Sequence, residues 1–277
     1  MFEPVIKWSG SKRSQASEII SNFPKEIDTY YESFCGGCSV IRRLLSTDTI
    51  TVKHFICNDL NTDLIELWKL IKYRPIEVAL YYEMFWNELN KDNDIERKKQ
   101  YFEEVRTKLN VEHNPLDFMC IMRTTTNGMP RYNSKGEFNN SFHVTRNGIN
   151  PSTLEHIIYE WSALLKEKDV EFTQGSYLDI RPNSKDYMYL DPPYANTKGM
   201  YYGNISTIEL FDYLRSLPCK YSMSYDGISG NIDNTYAVPE DVYTKHIYIK
   251  NGNSSFKRTI GKSNNSIVFE SLYIKEY

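Results

Sequence analysis

The chain has 277 residues, of which 40% are hydrophobic and 25% charged, with a formal net charge of −3. This composition supplies apolar material for one or two folded domains and excludes wholesale disorder. It contains no run of about 18 apolar residues that would span a membrane. The chain is not globally basic, so a nucleic-acid partner would need a local basic face.

The N-terminus opens no signal-peptide pattern, because Lys7 and Lys12 interrupt it before any apolar stretch, and a cytoplasmic protein is expected. Trp8 could stack on a ligand or anchor the core, and Lys12 reads as a solvated surface charge. Residues 29–34 read as a strand, Cys35-Gly36-Gly37-Cys38 breaks it, and residues 39–45 begin a helix. A second strand at 54–57 ends in Asn58-Asp59. This strand, glycine loop, helix and strand form the start of a doubly wound sheet. Residues 60–112 are mostly helical, with Leu64, Leu67, Trp68 and Ile71 at helical spacing. Between Lys91 and Glu112 six basic and six acidic residues balance, as on a solvated face.

Residues 121–149 lose the periodicity and read as a hairpin or loop insert. They carry Arg123, Arg131, Lys135 and Arg146 against Glu137 alone. Ser152 and Glu155, after Pro151, form a capping box for a helix whose apolar face runs through Leu154, Ile157, Ile158, Trp161, Leu164 and Leu165. Strands follow at 170–173, 187–190, 220–225, 243–249 and 267–274. The last two flank a polar loop holding Lys257, Arg258 and Lys262. The pattern predicts an α/β sheet formed by residues 1–61 and 151–277, interrupted by a mainly helical domain at 62–150.

Asp191-Pro192-Pro193-Tyr194 follows the apolar strand 187–190, at a carboxyl strand end where open α/β sheets bind ligands. The prolines fix φ and remove two backbone donors, leaving the Asp191 carboxylate and the Pro192 carbonyl as acceptors beside the Tyr194 ring. An amino group on a flat ring fits such a site, and so does a plain proline turn. In Phe34-Cys35-Gly36-Gly37 the glycines let a ligand approach the backbone. Asp59, at the end of the next strand, is placed to accept from ribose hydroxyls. The full G-x-G-x-x-G pattern is missing, which disfavours a nicotinamide enzyme. Cys35 and Cys38 could form a redox pair or half a zinc site. With no second cysteine pair and scattered histidines, they read as packing residues.

These motifs, taken together and in order, resemble the Dam-like DNA adenine-N6 methyltransferases of the alpha group. The carriers are Lys7-Trp8-x-Gly-x-Lys12, the Phe34-x-Gly-Gly loop, Asn58-Asp59 and Asp191-Pro-Pro-Tyr194. Asn127-Gly-Met-Pro-Arg131-Tyr-Asn-x-Lys-Gly-Glu-Phe138 looks like that family's DNA-reading hairpin, and Gly175-Ser-Tyr-x-Asp179 like its motif after the third strand. The chain departs mildly at Ser9 and Ser11, where smaller residues are usual, and at Ser141, where proline is frequent.

The resemblance implies a Rossmann-like S-adenosylmethionine-dependent methyltransferase sheet with an inserted, mainly helical target-recognition domain carrying a β-hairpin. It implies S-adenosylmethionine as donor, S-adenosylhomocysteine as product, and no metal. Cofactor binding falls to Trp8, Lys12, Phe34, Gly36, Gly37, Asp59, Asp179 and Asp191. Catalysis falls to Asp191, Pro192, Pro193 and Tyr194. Double-stranded DNA, read within GATC and with the target base flipped, would meet Arg123, Asn127, Met129, Arg131, Asn133, Lys135, Ser141, Lys257 and Arg258. No membrane partner is implied, and the protein would act as a monomer or as a weak dimer on DNA. The alternatives are an N4-cytosine or RNA adenine methyltransferase, which shares the tetrapeptide, and a catalytically silent DNA-binding homologue.

Overall fold

A computed structural model describes residues 3–194, 205–251 and 268–276. Lys257 and Arg258, expected to touch DNA, lie outside the described residues. In chain order the first elements are α1 (Ala16–Ile20), β1 (Glu26–Glu32), α2 (Ser39–Leu44), β2 (Thr51–Asp59), α3 (Thr62–Tyr73) and α4 (Pro75–Leu89). Next come α5 (Ile95–Glu112), α6 (Pro115–Thr124), α7 (Pro151–Glu167), β3 (Glu171–Gln174) and β4 (Tyr187–Leu190). The chain ends with α8 (Thr207–Ser216), β5 (Lys220–Ser229), β6 (Ile232–Asp233), β7 (Lys245–Asn251) and β8 (Val268–Lys275). Among the described residues no helix is long and apolar enough to cross a membrane.

Two compact units result. Residues 11–60, 175–194, 205–251 and 268–276 form an α/β unit, and residues 3–10 and 61–174 a helical one. In the α/β unit β1 pairs parallel with β2 and with β4, and β4 pairs parallel with β5. β8 then runs antiparallel between β5 and β7. This is the expected Rossmann-like sheet. All four residues of β4 are buried, as in a strand covered on both faces. The chain winds outward one way from β1 to β2 and the other way from β4 to β5. The carboxyl ends of the paired strands β1 and β4 therefore mark the switch point where such sheets bind ligands.

Polar caps and prolines build the helical unit. Asn61, Asp94, Asn114 and Asn150 each accept from backbone amides of the first turn they precede. Pro115 and Pro151 take first-turn positions, where a missing N–H costs nothing. Helix α7 thus starts from Asn150, whose Oδ1 accepts from Ser152 N at 3.0 Å, and the capping box expected at Ser152 does not form. The unit boundary also differs from the expected one. The apolar face of α7 packs on α3 and α4, with the Trp161 and Trp68 rings 4.9 Å apart and Phe172 stacked on Trp68 at 5.9 Å. Residues 151–174 consequently belong with the helices. So does the N-terminal segment, where Trp161 Nε1 donates to Glu3 O at 3.0 Å.

Candidate active site

Beyond β4 the chain enters Asp191-Pro192-Pro193-Tyr194, and a cluster of charge forms there. Lys12 Nζ lies 2.9 Å from Asp191 Oδ1 and 3.3 Å from Glu270 Oε2. The Lys12 side chain is only 4% exposed, so the expected surface charge is a buried cation. Burial opposes its charge, but Asp191 and Glu270 outweigh burial and hold the ammonium protonated. Asp191 is pushed up to about 6 by burial, against the pull of Lys12 and with a further push from Glu270. Tyr194 Oη donates to Glu270 Oε2 at 3.0 Å, and Lys12 Nζ lies 5.1 Å from the centre of the Tyr194 ring. The ring meets Tyr225 edge-on at 5.8 Å.

The strand pairing explains why an acid reaches this point from β8. The β5–β8 register shifts between Tyr225 and Ile228, opposite Glu270. Gly227 occupies that irregularity because a Cβ there would lie 2.2 Å from Phe269 O and 2.9 Å from Glu270 Cα.

The glycine loop follows β1. Gly36 has a φ of 44°, which favours glycine, and its amide donates to Asp59 Oδ2 at 3.0 Å. Asn58 ties the same loop down, its Nδ2 reaching Ser33 O at 3.3 Å and Gly175 O at 2.9 Å. Phe34 packs its ring 5.0 Å from Tyr177. Buried Glu32 accepts from Tyr30 Oη at 2.9 Å and from Ile41 N at 2.7 Å, so it holds the loop's exit into α2. Burial pushes its carboxyl up to about 8. Cys35, Cys38 and Cys57 are buried with their thiols pushed up, as suits packing residues. Asp179 is exposed in a 3-10 turn, Tyr177–Asp179, capped by Ser176.

The other expected residues lie in the helical unit. Trp8 is half-buried, and the neighbouring Ser9 N donates to Gly128 O at 2.9 Å. A turn at 133–136 joins two arms that meet at the Tyr132–Phe138 and Thr125–Phe142 bridges. Asn133 closes the turn, with Oδ1 accepting from Lys135 N and Glu137 N and Nδ2 donating to Glu137 Oε2. It therefore forms the turn. Arg123 lies on a helix and not in the expected loop insert. Helix α6 continues to Thr124, so Arg123 is buried on a helix and donates to Pro4 O at 3.1 Å. Arg131, Lys135 and Ser141 are exposed, and Asn127 and Met129 half-exposed. Burial, with Arg146 and Arg123 nearby, lowers Lys7 to about 8, so the unit holds a crowded set of cations.

Glu270, its partner Asn251 and Glu32 are functional candidates that the sequence reading passed over. For Glu270 one signal was available, an acid between Phe269 and the run Leu272-Tyr273-Ile274 of β8, whereas Glu32 ends a strand that already carries Glu26 and Asp28. The sequence profile described as D12 class N6 adenine-specific DNA methyltransferase matches residues 8–267. The DNA adenine methylase of Escherichia coli (strain K12) is 32% identical over 193 residues, 69% of this chain and 64% of that protein. The type II methyltransferase M.MjaIII of Methanocaldococcus jannaschii is 29% identical over 206 residues, 69% of each. The modification methylase StsI of Streptococcus sanguinis is 27% identical over 237 residues, 79% of this chain and 34% of that protein. The chain thus spans less than two thirds of the length of two of these three relatives.

Proposed function

Because the chain belongs to the family of D12 class N6 adenine-specific DNA methyltransferases, we propose that it methylates N6 of adenine in duplex DNA, with S-adenosylmethionine as donor, at a short site such as GATC. One observation carries the reading: a desolvated carboxylate, Asp191, stands at the carboxyl end of β4 with a proline carbonyl after it and an aromatic ring within the same tetrapeptide. The N6 lone pair of adenine is delocalised into the ring. Asp191 and the Pro192 carbonyl would accept its two hydrogens and favour a tetrahedral nitrogen. These acceptors bind most strongly as positive charge builds on N6, which stabilises the transition state over the ground state. Asp191 then takes the proton that N6 releases, with no prior deprotonation.

The donor, when bound, supplies a methyl group already activated on a sulfonium, so the reaction calls for no metal. The chemistry of the residues fits it: backbone amides of a buried glycine loop for its amino-acid end, and carboxylates for ribose hydroxyls and cationic groups. Asp59 would hold the ribose while its Oδ2 keeps the Gly36 amide in place. Phe34, Gly36 and Gly37 would border the amino-acid part. Trp8 and Asp179 enter by resemblance to the family, as does Lys12, whose ion pair with Asp191 also supports a part in the chemistry.

The target base must leave the stack, at a cost of a few kcal/mol, and Tyr194 would stack on it. Arg131 would read a base edge, with Asn127, Met129, Lys135 and Ser141 beside it. Lys257 and Arg258 would neutralise phosphates. Methylation of plasmid DNA with labelled donor, followed by digestion to nucleosides, tests the reading. Label in N6-methyldeoxyadenosine supports it. Label in N4-methylcytosine, label only with RNA, or no label at all would overturn it.

A further inference from the structure

We propose that Glu270 is a positioning residue for methyl transfer: it holds the second seat of Lys12 and the hydroxyl of Tyr194, so that Asp191 can exchange its ion pair for the adenine amino group. The inference rests on the reading of Asp191 as the N6 acceptor.

One buried cation serves two carboxylates here. Lys12 Nζ is 2.9 Å from Asp191 Oδ1 and 3.3 Å from Glu270 Oε2. An incoming amino group competes with Lys12 for the lone pairs of Asp191. A buried ammonium that lost its only partner would carry a large desolvation penalty. Glu270 lowers that penalty, because Lys12 can lean toward it and keep a carboxylate partner. The same Oε2 accepts from Tyr194 Oη at 3.0 Å, which fixes the plane of the ring proposed to stack on the base.

Glu270 is itself held firmly. Its Oε1 accepts from Asn251 Nδ2 at 2.6 Å, and Asn251 Oδ1 accepts from Ser14 Oγ at 3.2 Å. The strand irregularity at Gly227 sets its backbone. A glutamate kept only for packing would need neither a shared cation nor a donor on each oxygen. Its negative charge also acts on Asp191, raising the pKa of that carboxyl and so keeping it a better proton acceptor.

The test compares the wild type with Glu270→Gln and Glu270→Asp. Single-turnover methylation of a duplex is measured across pH with saturating donor, and the Asp191 carboxyl is titrated by 13C NMR without DNA. With the charge gone, Lys12 loses the Glu270 carboxylate and keeps that of Asp191. Glu270→Gln should therefore slow methyl transfer by about 10-fold or more while KM for donor and duplex changes much less. The acid limb of the rate profile and the Asp191 titration should both move to lower pH. Glu270→Asp keeps the charge and should recover most of the rate and the titration. An acid limb and titration that stay in place in Glu270→Gln would overturn the proposal, as would Glu270→Asp being as slow as Glu270→Gln. If Glu270→Gln fails to fold, Asn251→Ala loosens the same carboxylate from outside; it should slow the step in the same direction, and an unchanged rate would overturn the proposal. A wild type that methylates no adenine sinks the reading of Asp191, whereas the NMR titration still decides whether Glu270 tunes that carboxyl.

Discussion

The hairpin segment of the helical unit and the strand-end cluster of the α/β unit are both polar, but opposite means hold them. Neutral amides frame the hairpin. Asn133 closes its turn, Asn110 brackets Phe138 with bonds of 2.7 and 3.0 Å, and Asn140 Nδ2 reaches Thr126 O and Met129 O. The cluster is held by charge, with Lys12, Asp191 and Glu270 within a few ångströms of one another. A frame of amides does not respond to pH and hardly to salt, so its exposed cations stay available to a polyanion. A cluster of half-buried carboxylates around a buried cation is organised by its own members and responds as a unit when one of them changes.

The widest separation between the two regions should appear in turnover. Asp191→Ala removes the acceptor on which charge development at N6 depends. It should cost about 100-fold or more in kcat, on the order of 3 kcal/mol, with duplex binding largely kept. Retention of more than about a tenth of the wild-type rate would remove Asp191 from the chemistry. The wild type should also lose activity as pH falls through about 6, where Asp191 gains a proton and ceases to accept. No variant in the hairpin should move that limb.

Each region depends on one glycine that admits a close neighbour. In Gly227→Ala the new Cβ would lie 2.2 Å from Phe269 O, a backbone atom of a paired strand. In Gly128→Ala it would lie 2.6 Å from Lys7 Cβ at a φ of +62°. Both should destabilise by about 1–3 kcal/mol in denaturant unfolding. Only Gly227→Ala should slow single-turnover chemistry beyond its loss of folded protein, because it displaces Glu270. Equal catalytic loss in both variants would show that the two regions are not independent in this sense.

What the sequence made legible was local. Two prolines after a buried apolar strand, and glycines after another, are punctuation that physics reads without knowing the fold. The glycine loop and the Asp191 tetrapeptide were accordingly found in place. Strand β1 was expected from Thr29, whereas it begins at Glu26, since pairing of Glu26 with Thr51 extends it. Charges whose partners are remote in sequence were not legible. Lys12 looks like any surface lysine until Asp191 and Glu270 arrive from β4 and β8. Arg123 looked like a loop cation because the expected insert began at residue 121, inside helix α6. Asn133 was legible as a turn former, since asparagine in a tight turn commonly spends its side chain on its own backbone.

The hairpin should yield a smaller effect, confined to specificity. Arg131 is exposed beside a turn that fixes its neighbours. Arg131→Ala should cost about 1–3 kcal/mol of discrimination at one base pair. Methylation rates on duplexes with single substitutions would show sites differing by one letter becoming substrates. Lys257→Ala with Arg258→Ala should instead weaken all duplexes alike and flatten the salt dependence. If Arg131→Ala lowers every duplex by one factor, it is a phosphate anchor, and Asn127, Met129 or Ser141 must carry the reading.

A last effect, which leaves the chemistry untouched, concerns stability against pH, where the two ways of holding a polar region can be compared directly. Burial raises Glu32 from 4.5 to about 8, so between those values the folded protein binds a proton that the unfolded chain has released. Stability from this group is fully present below about 4.5 and is lost as pH rises toward 8, by at most ~1.4 kcal/mol per pH unit. In Glu32→Gln an amide oxygen can still accept from Tyr30 Oη and Ile41 N. The variant should therefore gain on the wild type steadily from pH 4.5 to 8, and the difference between the two melting series isolates Glu32 from other titrating groups. Asn140→Ala removes bonds to two carbonyls and no charge. Its loss, about 1–2 kcal/mol, should be the same at every pH in that window. A Glu32→Gln curve running parallel to the wild type would mean that the carboxyl is ionised in the fold throughout, and that the buried end of β1 holds a charge to which Tyr30 and Ile41 donate hydrogen bonds.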